Sequence, residues 1–200
     1  MDIKKRLVAA FLLIAALTGC AAESIQRDFS FKSEPDKGIV VFSVSHDLAG
    51  KRGVGAFFYM DSGTSGENIF NSVEPIAPGV PVPRSSQFED SYGHVLVLAL
   101  APGKHAIDSW KINNTTGLLS YPEMRPTPLV FEVISGQVKY LGNLHANVQV
   151  GKGLFGIPFI QNGYPEIRDQ QQRDIPIFEK EYPQFKGKIK VDLLHLGPWK

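Results

Sequence analysis

From Gly38 onward the apolar residues come in short runs rich in Val, Ile and Phe, broken by Gly, Pro, Asn or Asp. Punctuation this frequent leaves little room for helices and reads as β-strands. GIVVFSVSHD (38–47) and GVGAFFYMD (53–61) are two such runs, and HVLVLAL (94–100) is apolar on both faces, as a strand buried within a sandwich must be. Pro102-Gly103 turns the chain into KHAIDSWKI, and PLVFEVI and VKYLGNLHANVQV flank Ser135-Gly136, a short hairpin signal. In the last run Val138, Tyr140, Leu144, Ala146, Val148 and Val150 are expected on a core face. Lys139, Asn143, His145, Asn147 and Gln149 are expected on a solvated one, with a bulge at Gly142.

One segment has helical spacing. Ile175, Phe178 and Tyr182 recur at that period, Asp174 is placed to cap the start, Pro176 falls in the first turn and Pro183 closes the segment. So short a helix should cover an edge or an open end of the sheets, and a final strand, KIKVDLLHL, follows it. The expected fold is all-β, an antiparallel β-sandwich or partly open barrel over residues 38–200 as one domain, with one short C-terminal helix before the last strand. Two connections, residues 71–93 and 115–128, are long and proline-bearing. The first, with Pro78, Pro81 and Pro83, is a candidate partner-binding loop, because polyproline backbone offers a preformed surface.

The amino-terminal residues carry a different message. A basic head, Lys4-Lys5-Arg6, precedes the apolar stretch 7–17 and a small-residue exit, the layout of an export signal over residues 1–19. Eleven helical residues span only about 16 Å, roughly half a hydrocarbon core, too short for a permanent transmembrane helix. Cys20-Ala21-Ala22 would serve loosely as an ordinary cleavage site. The competing reading rests on Leu17-Thr18-Gly19-Cys20, which resembles the lipobox of bacterial lipoproteins. That resemblance implies a diacylglycerol thioether on Cys20, cleavage before it and N-acylation of the new terminus. Ala21, standing where an inner-membrane retention signal would place Asp, implies an outer-membrane destination. Chemistry agrees: a lone thiol is a liability in an oxidising compartment and has no internal disulfide partner. One acyl chain anchors marginally, whereas several hold stably. Residues 20–37 would then be the lipidated terminus and tether, reaching about 23 Å if wholly flexible, although Phe29 and Phe31 alternate with polar neighbours as a docking edge strand would.

Loss of residues 1–19 removes three basic and one acidic side chain, leaving 18 basic and 19 acidic. So even a balance is unlike the footprint of a nucleic-acid binder. LALAPGKHAIDSW followed by LVFEVISGQVKYLG is similar to small envelope β-sandwich domains of the PEGA-like and carboxypeptidase-regulatory-like kind. This second resemblance implies an adaptor or stalk and brings no active residues.

Motifs for chemistry are sparse. Residues 151–156 match G-x-G-x-x-G after a strand, but Ile157-Pro158-Phe159 reads as extended chain where a dinucleotide site needs a helix. No nucleotide cofactor is implied. His46, His94, His105, His145 and His195 show no metal-ligand spacing, and no G-x-S-x-G is present. His145 is expected to be solvated and His105 to bond its own turn. The run EIRDQQQRD (166–174) reads as a solvated approach to the helix. The expectation is a lipid-anchored, non-catalytic envelope protein that binds or positions another envelope component, with no catalytic residue and no cofactor beyond the lipid on Cys20. The alternative is an envelope hydrolase or a metal- or ligand-binding lipoprotein whose His, Asp and Glu converge in space.

Overall fold

A computed structural model describes residues 24–48, 54–61, 68–72, 74–77, 80–82, 85–114, 119–120, 122–152 and 158–199. Cys20, Pro78 and Pro83 lie outside the described residues. The strands are β1 (Gly38–Asp47), β2 (Val54–Met60), β3 (Asn68–Asn71), β4 (Glu74–Ala77), β5 (Val80–Val82), β6 (Ser91–Leu100), β7 (Gly103–Asn114), β8 (Leu119–Ser120), β9 (Leu129–Val133), β10 (Val138–Lys152) and β11 (Pro158–Arg168). Helix α1 (Gln171–Glu181) and a 3-10 turn (Pro183–Phe185) follow, then β12 (Ile189–Val191) and β13 (Gly197–Pro198). No described helix is long and apolar enough to cross a membrane.

Two sheets form the expected all-β sandwich, and neither closes into a barrel. The larger runs β13-β11-β10-β1-β6, with β12 also on β10; the smaller runs β3-β2-β7-β8, with β9 also on β7. Between them lies the main core, where Val40, Phe42, Val44, Leu144 and Ala146 meet Ala56, Phe58, Phe70, Trp110 and Phe131. The alternate residues of β1, Ile39 and Val41, face the other way and are equally buried. They form a second core with Val97, Val138 and Tyr140 beneath Phe178, Tyr182 and Phe185. Helix α1 therefore covers the outer face of the larger sheet, not an edge or open end. This third layer is why the first half of β1, Ile39 to Phe42, is apolar on both faces.

The turn at Ser135-Gly136 is not a hairpin. Strand β9 pairs with β7 in the smaller sheet, whereas β10 pairs in parallel with β1 in the larger. Gly136, at φ +72°, carries the chain from one sheet to the other, held by its N–H to Lys37 O at 2.9 Å. Gly142, at φ +111°, is the expected bulge, and its effect is larger than a local kink. The extra residue reverses the alternation, so Val138 and Tyr140 face α1 while Leu141, Leu144 and Ala146 face the main core.

Four further expectations change. Strand β11 reaches Arg168, so Glu166 and Arg168 belong to a strand and Ile167 is buried, not part of a solvated approach. KIKVDLLHL pairs only over Ile189–Val191. Part of the first long connection pairs with itself, β4 against β5, placing Pro81 in a small separate sheet. Residues 24–37 lie on the domain instead of reaching away from it: Ile25 N–H bonds Val97 O at 2.8 Å, and Phe29 is buried against Phe185. They dock through turns and not as a strand.

Candidate functional site

The outer face of the larger sheet changes character past the Gly142 bulge. Where Ile39, Val41, Val138 and Tyr140 meet α1, the next residues on that face are Ser43, Ser45 and Asp47 of β1 and Asn143, His145 and Asn147 of β10. The parallel register sets Ser43 beside Asn143 and Ser45 beside His145. A row of polar side chains results, and most of it is not solvated: Ser43, Ser45, Asn143 and Asp174 are fully buried and His145 nearly so, while Asp47 and Asn147 at its far end are half-exposed.

Every member of the row finds partners, as buried polar groups must. Asp174 Oδ2 accepts from Ser43 Oγ at 2.5 Å and from the Tyr140 hydroxyl at 2.7 Å, and its Oδ1 accepts from Arg173 Nε at 2.8 Å. Asp174 is thus no helix cap; the carboxylate at the helix start is Asp169, whose Oδ1 accepts from Gln171 N–H at 3.1 Å. Burial, reinforced by the Asp174 charge, pushes the Tyr140 phenol far above its ordinary value, so it stays a neutral donor. Arg173 lies 3.6 Å from the Phe88 ring centroid and also reaches Asp90, Ser91 and Ser43.

Asn143 Nδ2 donates to Ser43 Oγ at 2.8 Å and to Ser45 Oγ at 3.0 Å. Ser45 Oγ lies 2.8 Å from His145 Nδ1, and His145 Nε2 lies 3.1 Å from Asp47 Oδ1. With the Asp47 carboxylate as acceptor, the ring proton is assigned to Nε2 and Ser45 donates to Nδ1. Beyond it, Glu166 accepts from Arg168 at 2.8 Å and from Asn147 at 3.1 Å; the bond from Asn147, and then that from Arg168, holds its carboxyl below the ordinary value.

Serine, histidine and aspartate in sequence of contact are the groups of a hydrolase triad, and sequence reasoning missed the grouping because Ser45 and Asp47 are separated from His145 by about a hundred residues. The arrangement nevertheless offers no nucleophile. Ser45 is wholly enclosed, so no carbonyl can approach its Oγ, and nucleophilic catalysis requires that approach. What the row does is close polar groups on one another between two elements, holding α1 to the sheet through Asp174.

Burial, and next the Arg168 guanidinium, lower the His145 pKa against the pull of Asp47. With the folded value below the unfolded 6.5, the stability His145 contributes is complete above pH 6.5 and is lost as pH falls from there toward the folded value. The free energy of unfolding from urea titrations is expected to drop between about pH 7.5 and about pH 5.5, by no more than about 1.4 kcal/mol per pH unit from this group, and His145→Gln should flatten that decline. An unchanged profile in the variant would place the sensitivity elsewhere.

The other histidines are dispersed. His46 Nδ1 meets Ser72 Oγ at 2.8 Å, His94 is buried on β6, and His195 is exposed in the C-terminal segment. His105 bonds its turn as expected, Nε2 to Ala101 O at 2.9 Å, with Nδ1 at 2.8 Å from Asp61. Among the described residues no three His, Cys, Asp or Glu side chains are disposed to hold a metal ion. Gly151 and Lys152 end β10, and the chain resumes in β11, so the glycine-rich run precedes a strand and not a helix.

A second feature lies on the same side of the sandwich as α1. Residues 27–32 and the segment 184–188 enclose an open groove of about 470 Å³. Gln184 Nε2 ties the two walls by donating to Arg27 O at 2.8 Å and Phe29 O at 3.2 Å, and Phe31 packs edge-on to Phe185 at 5.4 Å.

No family model and no curated protein matches the sequence. Among solved structures the chain is similar to a leucine-rich repeat protein from Bacteroides thetaiotaomicron, at 12% identity and a TM-score of 0.30, over 66% of this chain and 18% of that one. The chain thus spans under a fifth of that protein's length, and a likeness so slight carries no argument about fold or activity.

Proposed function

We propose that this protein is a lipid-anchored bacterial envelope protein, bound to the outer membrane through acyl chains on Cys20, whose sandwich binds or positions another envelope component without catalysis. The observation that carries the reading is Leu17-Thr18-Gly19-Cys20 at the end of a short apolar run, with the only cysteine of the chain at its last position. The docked amino-terminal segment is compatible with it, because Ser24 and Ile25, held on Val97, leave the folded domain only a few residues from Cys20. The complete burial of Ser45, whose Oγ is engaged by His145 and Asn143, supports the non-catalytic part.

The test is metabolic labelling with a fatty acid analogue in cells making the wild type or Cys20→Ala. Label on the wild type alone, with the variant moving to the soluble fraction, is the expected result. An unlabelled wild type, or a variant that sediments with membranes as fully as the wild type, overturns the anchor.

A further inference from the structure

We propose that the groove between residues 27–32 and 184–188 is a phospholipid-headgroup site that lays the domain flat on an anionic bilayer surface. The inference deepens the reading above and rests on Cys20 being the anchor. Its first support is reach. Only residues 21–23 separate Cys20 from Ser24, whose Oγ accepts Val97 N–H at 3.2 Å while Ile25 N–H bonds Val97 O. Four residue steps span at most about 14 Å even fully extended. The headgroup layer beside each face of the hydrocarbon core is itself about 5–8 Å deep. A domain fixed at Ser24 therefore cannot stand clear of the membrane, and what lies next to Ser24 must face it.

Charge is the second support. Arg27, Lys32 and Lys188 are exposed around the groove, against a single lining acid, Asp28. Among the described residues neither Arg27 nor Lys32 enters an ion pair, while Lys188 Nζ bonds only Gln184 O at 2.8 Å. Basic side chains held within a Debye length of an anionic leaflet are drawn to its phosphates. The groove floor is aromatic, with Phe31 half-buried against Phe185, and fits the less polar glycerol region below the phosphate. Headgroup phosphates on the three cations, with Phe31 turned toward the bilayer, satisfy both features together.

The experiment uses the lipidated full-length protein in vesicles. Gln26→Cys places a dye beside the groove, and Glu132→Cys places one on the outer face of the smaller sheet, across the sandwich. Lipidated Cys20 takes no dye. Vesicles contain headgroup-nitroxide lipid in either phosphatidylcholine or a phosphatidylethanolamine–phosphatidylglycerol mixture. In anionic vesicles the dye at 26 should be quenched about threefold or more above the dye at 132, and the triple variant Arg27→Glu, Lys32→Glu, Lys188→Glu should abolish the difference. Equal quenching at the two positions, or quenching at 26 indifferent to lipid charge and to the triple variant, overturns the docking site while flotation of the protein leaves the anchor standing. Wild type that takes dye at Cys20 and fails to float with vesicles overturns the anchor, and the docking site with it.

Discussion

Replacing Asp174 with alanine is expected to lower stability by about 3–5 kcal/mol, the range for removing one partner of a buried charge pair. The size follows from what the carboxylate leaves behind. Ser43, Tyr140 and Arg173 all aim donors at it inside a fully buried site, and alanine supplies no acceptor. The Arg173 guanidinium would keep Asp90 but lose its closest buried carboxylate. Asp174→Asn should fall between, because the amide keeps the volume and one acceptor oxygen while losing the charge. The exposed Asp169, which only accepts from the helix start, serves as the comparison: Asp169→Ala should cost about 1 kcal/mol or less. Equilibrium unfolding in urea measures all three. A loss at Asp174 no larger than at Asp169 would mean that the polar row does not hold α1 to the sheet.

The second large effect is expected at Gly93. It sits opposite Ser45 in the antiparallel β1–β6 pair, and a Cβ built there would lie 2.0 Å from Val44 O and 2.7 Å from Ser45 Cα. Both are backbone atoms of a central strand, so no rotamer change relieves the overlap. Gly93→Ala must push β6 away from β1 at the position where Ser45 meets His145, and a loss of about 3 kcal/mol, the upper end for overpacking, is expected. The same urea experiment reads it, and a variant within about 0.5 kcal/mol of wild type, the range of an ordinary surface substitution, would show that the two strands do not run so close.

Much of the architecture was legible because strand periodicity and turn residues are local signals. GIVVFSVSHD is β1 without a residue's error, and the apolar character of 94–100 on both faces correctly announced a strand covered twice. Pairing is not local. Ser135-Gly136 has the chemistry of a hairpin turn, and nothing within the flanking runs says that β9 and β10 join different sheets. The candidate site was hidden by the same gap. Asn143 and His145 alternate with apolar neighbours as a wetted strand face does, and their burial depends on Ser43, Ser45 and Asp174, all far away in sequence. Asp174 carried a usable signal that helix-capping rules overrode: an acidic residue inside the first turn, one position before Ile175, on the side where the helix must pack.

Placing β1 at the centre of the larger sheet also decides when the molecule can assemble. Its flanking partners are β6, with Gly38 opposite Leu100, and β10, with Ile39 beside Val138 some 99 positions later. Neither seam can be zipped by a neighbouring turn, so the entropy of closing long stretches of chain must be met before any contact repays it. A ribosome that has made the first half of this protein holds a strand with no finished home. The larger sheet therefore closes late, only once the last third of the chain, which begins with β10, is free to pair with β1.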